Sequence, residues 1–269
     1  MDIYIPALIC IGIAAACGVI LTLTSHFFGI KEDEKFLNIR DCLPGANCGA
    51  CGYSGCDGYA KALAEGKTDA PNLCVPGGEG AANDIAAILG VEAADVDIKV
   101  AYVACNGVCG ASKQKFEYVG VKSCKIANMS YNGQKMCNYA CLGFGDCASI
   151  CPQKAISVVD GVARVDRSLC IGCGMCSRIC PNGIIRMISD SERVKILCSN
   201  HDKGAVTRKA CTNGCIGCGK CQKECPSGAI KVEHNLAVID YDKCTRCGKC
   251  ASVCPVHCIK EITKNCDNT

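Results

Sequence analysis

The chain lacks tryptophan altogether and has only 5 phenylalanines, 8 tyrosines and 4 histidines in 269 residues. So few large apolar side chains build thin cores, and packing alone is a weak means of holding the fold. The net charge of +3 is too small to argue for a nucleic-acid partner, and there is no Arg-rich tail, RNA motif or zinc-finger Cys…His pattern. Bond-making machinery is missing too: no Ser–His–Asp set, no paired carboxylates, no phosphate loop, and no G-x-G-x-x-G after a strand. His201, His234 and His257 read as surface or packing residues rather than ligands. What the chain has in excess is cysteine, 30 residues. Disulfides or metal centres must then carry much of the stability.

The compartment decides between the two. Residues 3–30 hold no Asp, Glu, Lys or Arg, and no basic stretch precedes them as in a signal peptide. A helix from Pro6 to Phe28 would span roughly 33 Å, enough for a bilayer core, with Pro6 tolerated in its first turn. The alternative is a buried core helix, but nothing else in the chain is apolar enough to cover one. Lys31, Lys35 and Arg40 follow the segment and only Asp2 precedes it. Positive-inside orientation then puts the N-terminus outside and residues 31–269 in the cytoplasm, on a single-pass anchor in the cell membrane. A reducing cytoplasm disfavours structural disulfides, which leaves the other 28 cysteines as metal ligands.

The expected fold is α+β, organised as an anchor over 1–30, a four-Cys domain over 31–95, a connecting region over 96–135, a cysteine-run module over 136–190, a linker over 191–210 and a second module over 211–269. KEDEKFLNIRD reads as a polar linker, DGYAKALAEG and AANDIAAILG as helices stopped by Gly66 and Gly90, and 98–105 as a strand. AISVVDGVARVD (155–166) and AIKVEHNLAVID (229–240) alternate around Asp160-Gly161 and His234-Asn235 and predict two hairpins. Cys151 to Cys170 is 19 positions and so is Cys225 to Cys244, so run, hairpin and run occur twice.

Three runs fit C-x2-C-x2-C-x3-C-P: 170–181, 215–226 and 244–255. A loop with a thiolate at every third residue wraps one face of a [4Fe–4S] cube, while the fourth Cys lies too far along and ligates the partner run's cube. Crossing the fourth cysteines gives Cys215, Cys218, Cys221 and Cys254 for one cluster, Cys225, Cys244, Cys247 and Cys250 for a second, and Cys151, Cys170, Cys173 and Cys176 for a third. Zinc is the competitor, but it usually pairs two C-x2-C knuckles and fits these repeated runs badly. In CLGFGDCASICP (141–152), Phe144 stands where Cys218 stands. Cys137 lies four residues before Cys141 and is the expected replacement, giving Cys137, Cys141, Cys147 and Cys180; the alternative is a three-iron cluster. The upstream block, Cys48, Cys51, Cys56 and Cys74, has spacing C-x2-C-x4-C-x17-C and suggests a further [4Fe–4S] cluster, with zinc second.

An N-terminal apolar helix, the motif GANCGACGYSGC (45–56), then KMCNYACLGFGDCASICP (135–152), CIGCGMCSRICP (170–181), CIGCGKCQKECP (215–226) and CTRCGKCASVCP (244–255) follow in one order. The runs resemble bacterial two-cluster ferredoxins. The order resembles the B-subunit family of Rnf ion-translocating complexes in its longer form, over essentially the whole chain. The resemblance implies a translocase component that relays electrons between reduced ferredoxin and NAD, with soluble ferredoxin and the integral membrane and flavin-bearing subunits as partners. The alternative is a membrane-anchored polyferredoxin feeding another reductase. Five clusters use 20 of the 30 cysteines. Of the rest, Cys105, Cys124, Cys198 and Cys211 flank the first module, two on each side, and are candidates for a sixth metal centre or for ordinary buried thiols.

Overall fold

The computed structural model describes residues 4–28, 33–92 and 95–261. Helix α1 (Tyr4–Phe28) carries no charged residue, and its described side chains, 8–24, are exposed. Among the described residues no helix is long and apolar enough to cross a membrane, so the expected span is met here only as a helix.

The stretch expected as a polar linker folds. Helix α2 (Glu34–Asp41) starts on Asp33, whose carboxylate accepts from the Lys35 amide at 3.1 Å and satisfies a donor the first turn leaves open. Ile39 and Leu43 repeat at helical spacing and are buried. They pack with Tyr59 and Leu63 of α3 (Cys56–Ala64) and Ile85 of α4 (Gly78–Leu89) into one core with Cys56 and Cys74. Gly90, at φ +71, closes α4 with a left-handed cap.

The rest is two copies of one plan. In the first, β2 (Ile156–Val159) and β3 (Val162–Val165) form a hairpin with both turn residues at positive φ, Asp160 at 49° and Gly161 at 71°. Helices α6 (Asp146–Ser149) and α7 (Met175–Ile179) lie within the two cysteine runs and carry Cys147 and Cys176. The copy closes when β4 (Ile185–Ser189) pairs antiparallel with β1 (Lys99–Val103). The second copy repeats this with hairpin β6 (Ile230–Glu233) and β7 (Leu236–Ile239), helices α9 (Lys220–Lys223) and α10 (Lys249–Ser252), and β8 (Ile259–Glu261) on β5 (Val194–Ile196). The opening strands β1 and β5 fall in segments expected as connector and linker. Those segments also hold α5 (Cys124–Met129) and α8 (Gly204–Ala210).

The apolar residues of each copy lie between hairpin and closing sheet, and cysteines make up much of the core. In the second copy five of the eleven buried core residues are cysteines: Cys198, Cys215, Cys221, Cys254 and Cys258.

Candidate iron–sulfur sites

Glycine sets the approach of each cysteine loop to the rest of its module. A Cβ on Gly172, at φ +69, would meet the Lys99 carbonyl oxygen at 2.3 Å, and one on Gly217, at φ +64, the Asn235 carbonyl oxygen at 2.9 Å. The C-x-G-C loops thus press against the closing sheet and the hairpin turn, which directs main-chain N–H groups at sulfur. The Ala101 amide donates to Cys170 Sγ at 3.4 Å, Ala155 to Cys151 Sγ at 3.3 Å and Ala163 to Cys141 Sγ at 3.4 Å.

Most of the thiols come together as the crossing of the runs leads one to expect. Cys151, Cys170, Cys173 and Cys176 line one cavity. Cys215, Cys218, Cys221 and Cys254 line another, shared with Cys258. Cys250 lies within electrostatic reach of Cys244, Cys225 and Cys247. In the N-terminal domain Cys74 lies within reach of Cys56, Cys51 and Cys48. There the Asn47 side chain holds the Cys56 amide at 2.9 Å, and the Tyr59 hydroxyl donates to the Ala70 carbonyl and fixes the loop before Cys74.

Two quartets depart from expectation by exchanging one member. Cys141, Cys147 and Cys180 share a cavity with Cys124, not with Cys137. Asp146 explains the exchange. Its carboxylate accepts from the Ser123 hydroxyl and the Cys124 and Lys125 amides, at 2.9, 2.9 and 3.1 Å, and so pins the start of α5 beside Cys147. Phe144, in the place of a thiol, packs on Tyr118 with ring centroids 5.3 Å apart. Cys137 faces the opposite way and lines a cavity with Cys105, Cys198 and Cys211. Sequence proximity favours Cys137, whereas the tertiary path of the insertion delivers Cys124.

Two further residues have no role in the sequence reading. Lys135 is buried and donates to the Gly107 and Gly161 carbonyls, each at 2.9 Å. Cys258 is buried 3.6 Å from Cys254 Sγ, where Ile184 stands in the first copy, so comparing the copies exposes it as an extra thiol beside a quartet. Hydrogen bonding with Cys258 lowers the Cys215 and Cys254 thiols, to about 6 and about 5, and raises that of Cys258 itself.

Elsewhere burial pushes the thiols up, Cys147 to about 12 and Cys176, Cys221 and Cys250 to about 11. Without a cation these sulfurs stay protonated; a bound metal is what makes thiolates of them. Among the described residues no three His, Cys, Asp or Glu side chains converge closely enough to share one ion. Thiols that ring a cavity, with amides aimed at sulfur, fit a polynuclear cluster held at its corners better than a single tetrahedral ion.

Comparison with known proteins agrees. Residues 43–76 match the FeS family model for an Fe-S cluster, 169–229 and 207–255 match two models of a 4Fe-4S dicluster domain, and 137–191 match the LdpA Fe-S cluster-binding domain. The chain is 40% identical to the B subunit of the Na(+)-translocating ferredoxin:NAD(+) oxidoreductase complex of Acetobacterium woodii, over 94% of this chain and 77% of that one. It belongs to this B-subunit family. The B subunit of the proton-translocating ferredoxin:NAD(+) oxidoreductase complex of Clostridium ljungdahlii is 42% identical over 84% of this chain and 80% of its own. The B subunit of the ion-translocating oxidoreductase complex of Methanosarcina acetivorans is 42% identical over 87% and 88%. As a member of this family, the chain carries iron–sulfur domains from the FeS region through both modules.

Proposed function

We propose that the chain relays electrons between reduced ferredoxin and NAD within a membrane complex that moves ions, through [4Fe–4S] clusters at the cysteine quartets. The ligand sets are Cys48, Cys51, Cys56 and Cys74; Cys151, Cys170, Cys173 and Cys176; Cys124, Cys141, Cys147 and Cys180; Cys215, Cys218, Cys221 and Cys254; and Cys225, Cys244, Cys247 and Cys250. The observation that carries this reading is that thiols from separate runs meet around common cavities with backbone amides directed at sulfur. The quartets would hold [4Fe–4S] clusters, and a cluster bound there would supply one-electron transfer. The residues around it exclude water, and their N–H groups stabilise the more negative reduced state.

The FeS domain adjoins the first module. Arg178 donates to the Cys48 carbonyl, and Cys48 lies within electrostatic reach of Cys173. At the far end Cys247 is exposed and Cys244 and Cys250 are half-buried. Electrons exchange with soluble ferredoxin at this exposed end, and Lys220, Lys223 and Lys249, all exposed, offer an acidic protein a basic face. Lys243 and Arg246 contribute less, because they pair with Asp240 at 2.6 Å and Glu192 at 2.9 Å. The N-terminal segment, with no Asp, Glu, Lys or Arg over residues 3–30, would anchor the chain beside the integral membrane and flavin-bearing subunits.

The test is affinity capture of the tagged full chain from solubilised membranes. Capture with integral membrane subunits, bound flavin and ferredoxin-dependent NAD reduction is the expected result. Capture with a different reductase would replace this reading by the polyferredoxin one, and recovery in the soluble fraction would refute the anchor.

A further inference from the structure

Cys105, Cys137, Cys198 and Cys211 line one cavity, and each is buried. Cys137 lies within electrostatic reach of Cys105 and Cys211, and Cys198 of Cys105. The arrangement is symmetric between the two copies. Cys105 sits two residues past β1 and Cys198 two residues past β5. Cys137 sits four residues before Cys141, and Cys211 four before Cys215. Cys105 Sγ accepts from the amides of Gly107 and Cys141, both at 3.4 Å; Cys198 Sγ accepts from Asn200 at 3.5 Å and Cys215 at 3.3 Å. Each copy therefore contributes the same two thiols, presented by the same amide pattern, to one cavity between them. Asn200 adds a side-chain donor to Cys137 Sγ at 3.3 Å.

Lys135 supplies an independent observation. It is buried, and among the described residues no carboxylate pairs with it. A cation in that position needs nearby negative charge. Lys135 lies within reach of Cys141 on one side and Cys211 on the other, one thiol from each adjoining quartet. A [4Fe–4S]2+ core with four thiolates is a dianion, so a cluster in each quartet supplies that charge from both sides.

We infer that Cys105, Cys137, Cys198 and Cys211 hold a further [4Fe–4S] cluster that joins the two ferredoxin modules. The inference rests on the electron-relay reading and completes its path. Cys48 adjoins Cys173, Cys176 adjoins Cys147, Cys105 adjoins Cys141, and Cys198 adjoins Cys215. Helix α9 packs on α10 between the last two sites. With this quartet filled, each of the six centres has a neighbouring one, and the quartet adjoins both modules, through Cys141 on one side and Cys215 on the other. In each hop one electron leaves the reduced neighbour, which is oxidised, and the 2+ core that receives it becomes 1+; no bond breaks and no proton moves. Reduced ferredoxin is the reductant.

The experiment uses the full chain, reconstituted with iron and sulfide, with iron and zinc measured and intact mass recorded under native conditions. About 24 Fe per chain is the expected result, four for each of six cubes. About 20 Fe overturns the inference, as does about 20 Fe with one zinc, and either leaves the five-cluster relay standing. The C198A/C211A chain should lose about four Fe. In stopped flow with reduced ferredoxin, it should reduce the C-terminal module at the normal rate and the first module at least tenfold more slowly. Full iron content in that variant, or unchanged reduction of the first module, overturns the inference. Cys109, exposed and outside every quartet, gives the control C109A, which should keep all its iron. Should the double variant fail to fold, the wild-type metal content alone still decides.

Discussion

Removing Cys124 distinguishes most sharply between the ligand set proposed from the shared cavity and the one that chain spacing suggests. In Cys124→Ala the quartet with Cys141, Cys147 and Cys180 keeps three thiols, and one corner of the cube loses its ligand. The expected product is a three-iron cluster, a loss of about one Fe, or loss of the whole cube at about four Fe. Rescue should come from Phe144→Cys. Gly143 and Gly145 flank Phe144 at φ 79° and 85°, and Gly217 and Gly219 flank Cys218 at 64° and 73°, so both loops hold one backbone conformation and aim position 144 at the vacant corner. The cost of the rescue is bounded by what Phe144 does. Full truncation of a buried Phe costs about 3–5 kcal/mol, and an aromatic pair contributes about 0.5–1.5 kcal/mol of that kind of loss. Phe144 is half-buried, pairs with the Tyr118 ring and packs against the Cys124, Ala127 and Leu142 cluster, so about 2 kcal/mol is expected, small beside the contribution of a bound cluster. The assay is iron content with electron paramagnetic resonance of the oxidised protein, where a three-iron cluster is paramagnetic and an intact [4Fe–4S]2+ cluster is silent. An unchanged spectrum in Cys124→Ala, or a three-iron signal that Phe144→Cys abolishes in Cys137→Ala instead, would refute the reasoning.

Other consequences follow from the same geometry. Cys225→Ser should deplete the cluster of the 244–250 run and leave that of the 215–221 run intact; spectra showing the reverse would break the crossed pairing. Gly172→Ala puts a Cβ 2.3 Å from the Lys99 carbonyl at φ +69, so backbone strain of about 1–2 kcal/mol adds to a clash, and the holo chain should lose its 170–176 cluster or melt at least several degrees lower. In the metal-free chain Cys147 and Cys221 sit at about 12 and about 11 because burial disfavours the thiolate. A raised pKa stabilises the folded state below the unfolded thiol's value, near 8.5, and that stabilisation is lost as pH rises through 11 to 12. Circular dichroism of apo protein should show that alkaline loss, while holo protein, its thiolates already formed, should not. Charge reversal at Lys220 and Lys223 should slow ferredoxin-dependent reduction and flatten its salt dependence; rates and slopes like wild type would move the docking site elsewhere.

The parts of the molecule legible in the sequence are those whose partners lie nearby along the chain. Asp160-Gly161 and His234-Asn235 mark the hairpins, and both turns have the positive φ those residues favour. Within a run, x2 spacing fixes which thiols face one cavity, and two runs joined by a hairpin of fixed length bring their fourth cysteines across. Helix α2 reads as linker because its charges dominate; the signal is Asp33 as cap and the Ile39 and Leu43 stripe. Lys135 carries no signal at all, since a lysine reads as surface until the cavities on either side of it are known.

The exchange of Cys124 and Cys137 has the same physical root as the placement of β1 and β5. A thiol's partner is settled by which strand closes the sheet and where the intervening chain returns. Pairing of β1 with β4 draws the segment after Val103 across the mouth of the first module. From there the chain lays Cys105 against the Cys141 amide, turns back, and comes in a second time at α5, where Asp146 fixes Cys124. Once Cys105 occupies the outer side of Cys141, Cys137 is committed to that side as well, because the Ala140 amide bonds back to the Cys137 carbonyl in a tight turn. The second copy has the same opening-strand and pre-run thiols but keeps Cys218, so it has no need of an insertion like 106–135. In the proposed ligand set the first module thus draws its fourth thiol from α5, and the thiol that spacing alone would put there lines the cavity at the junction between the copies.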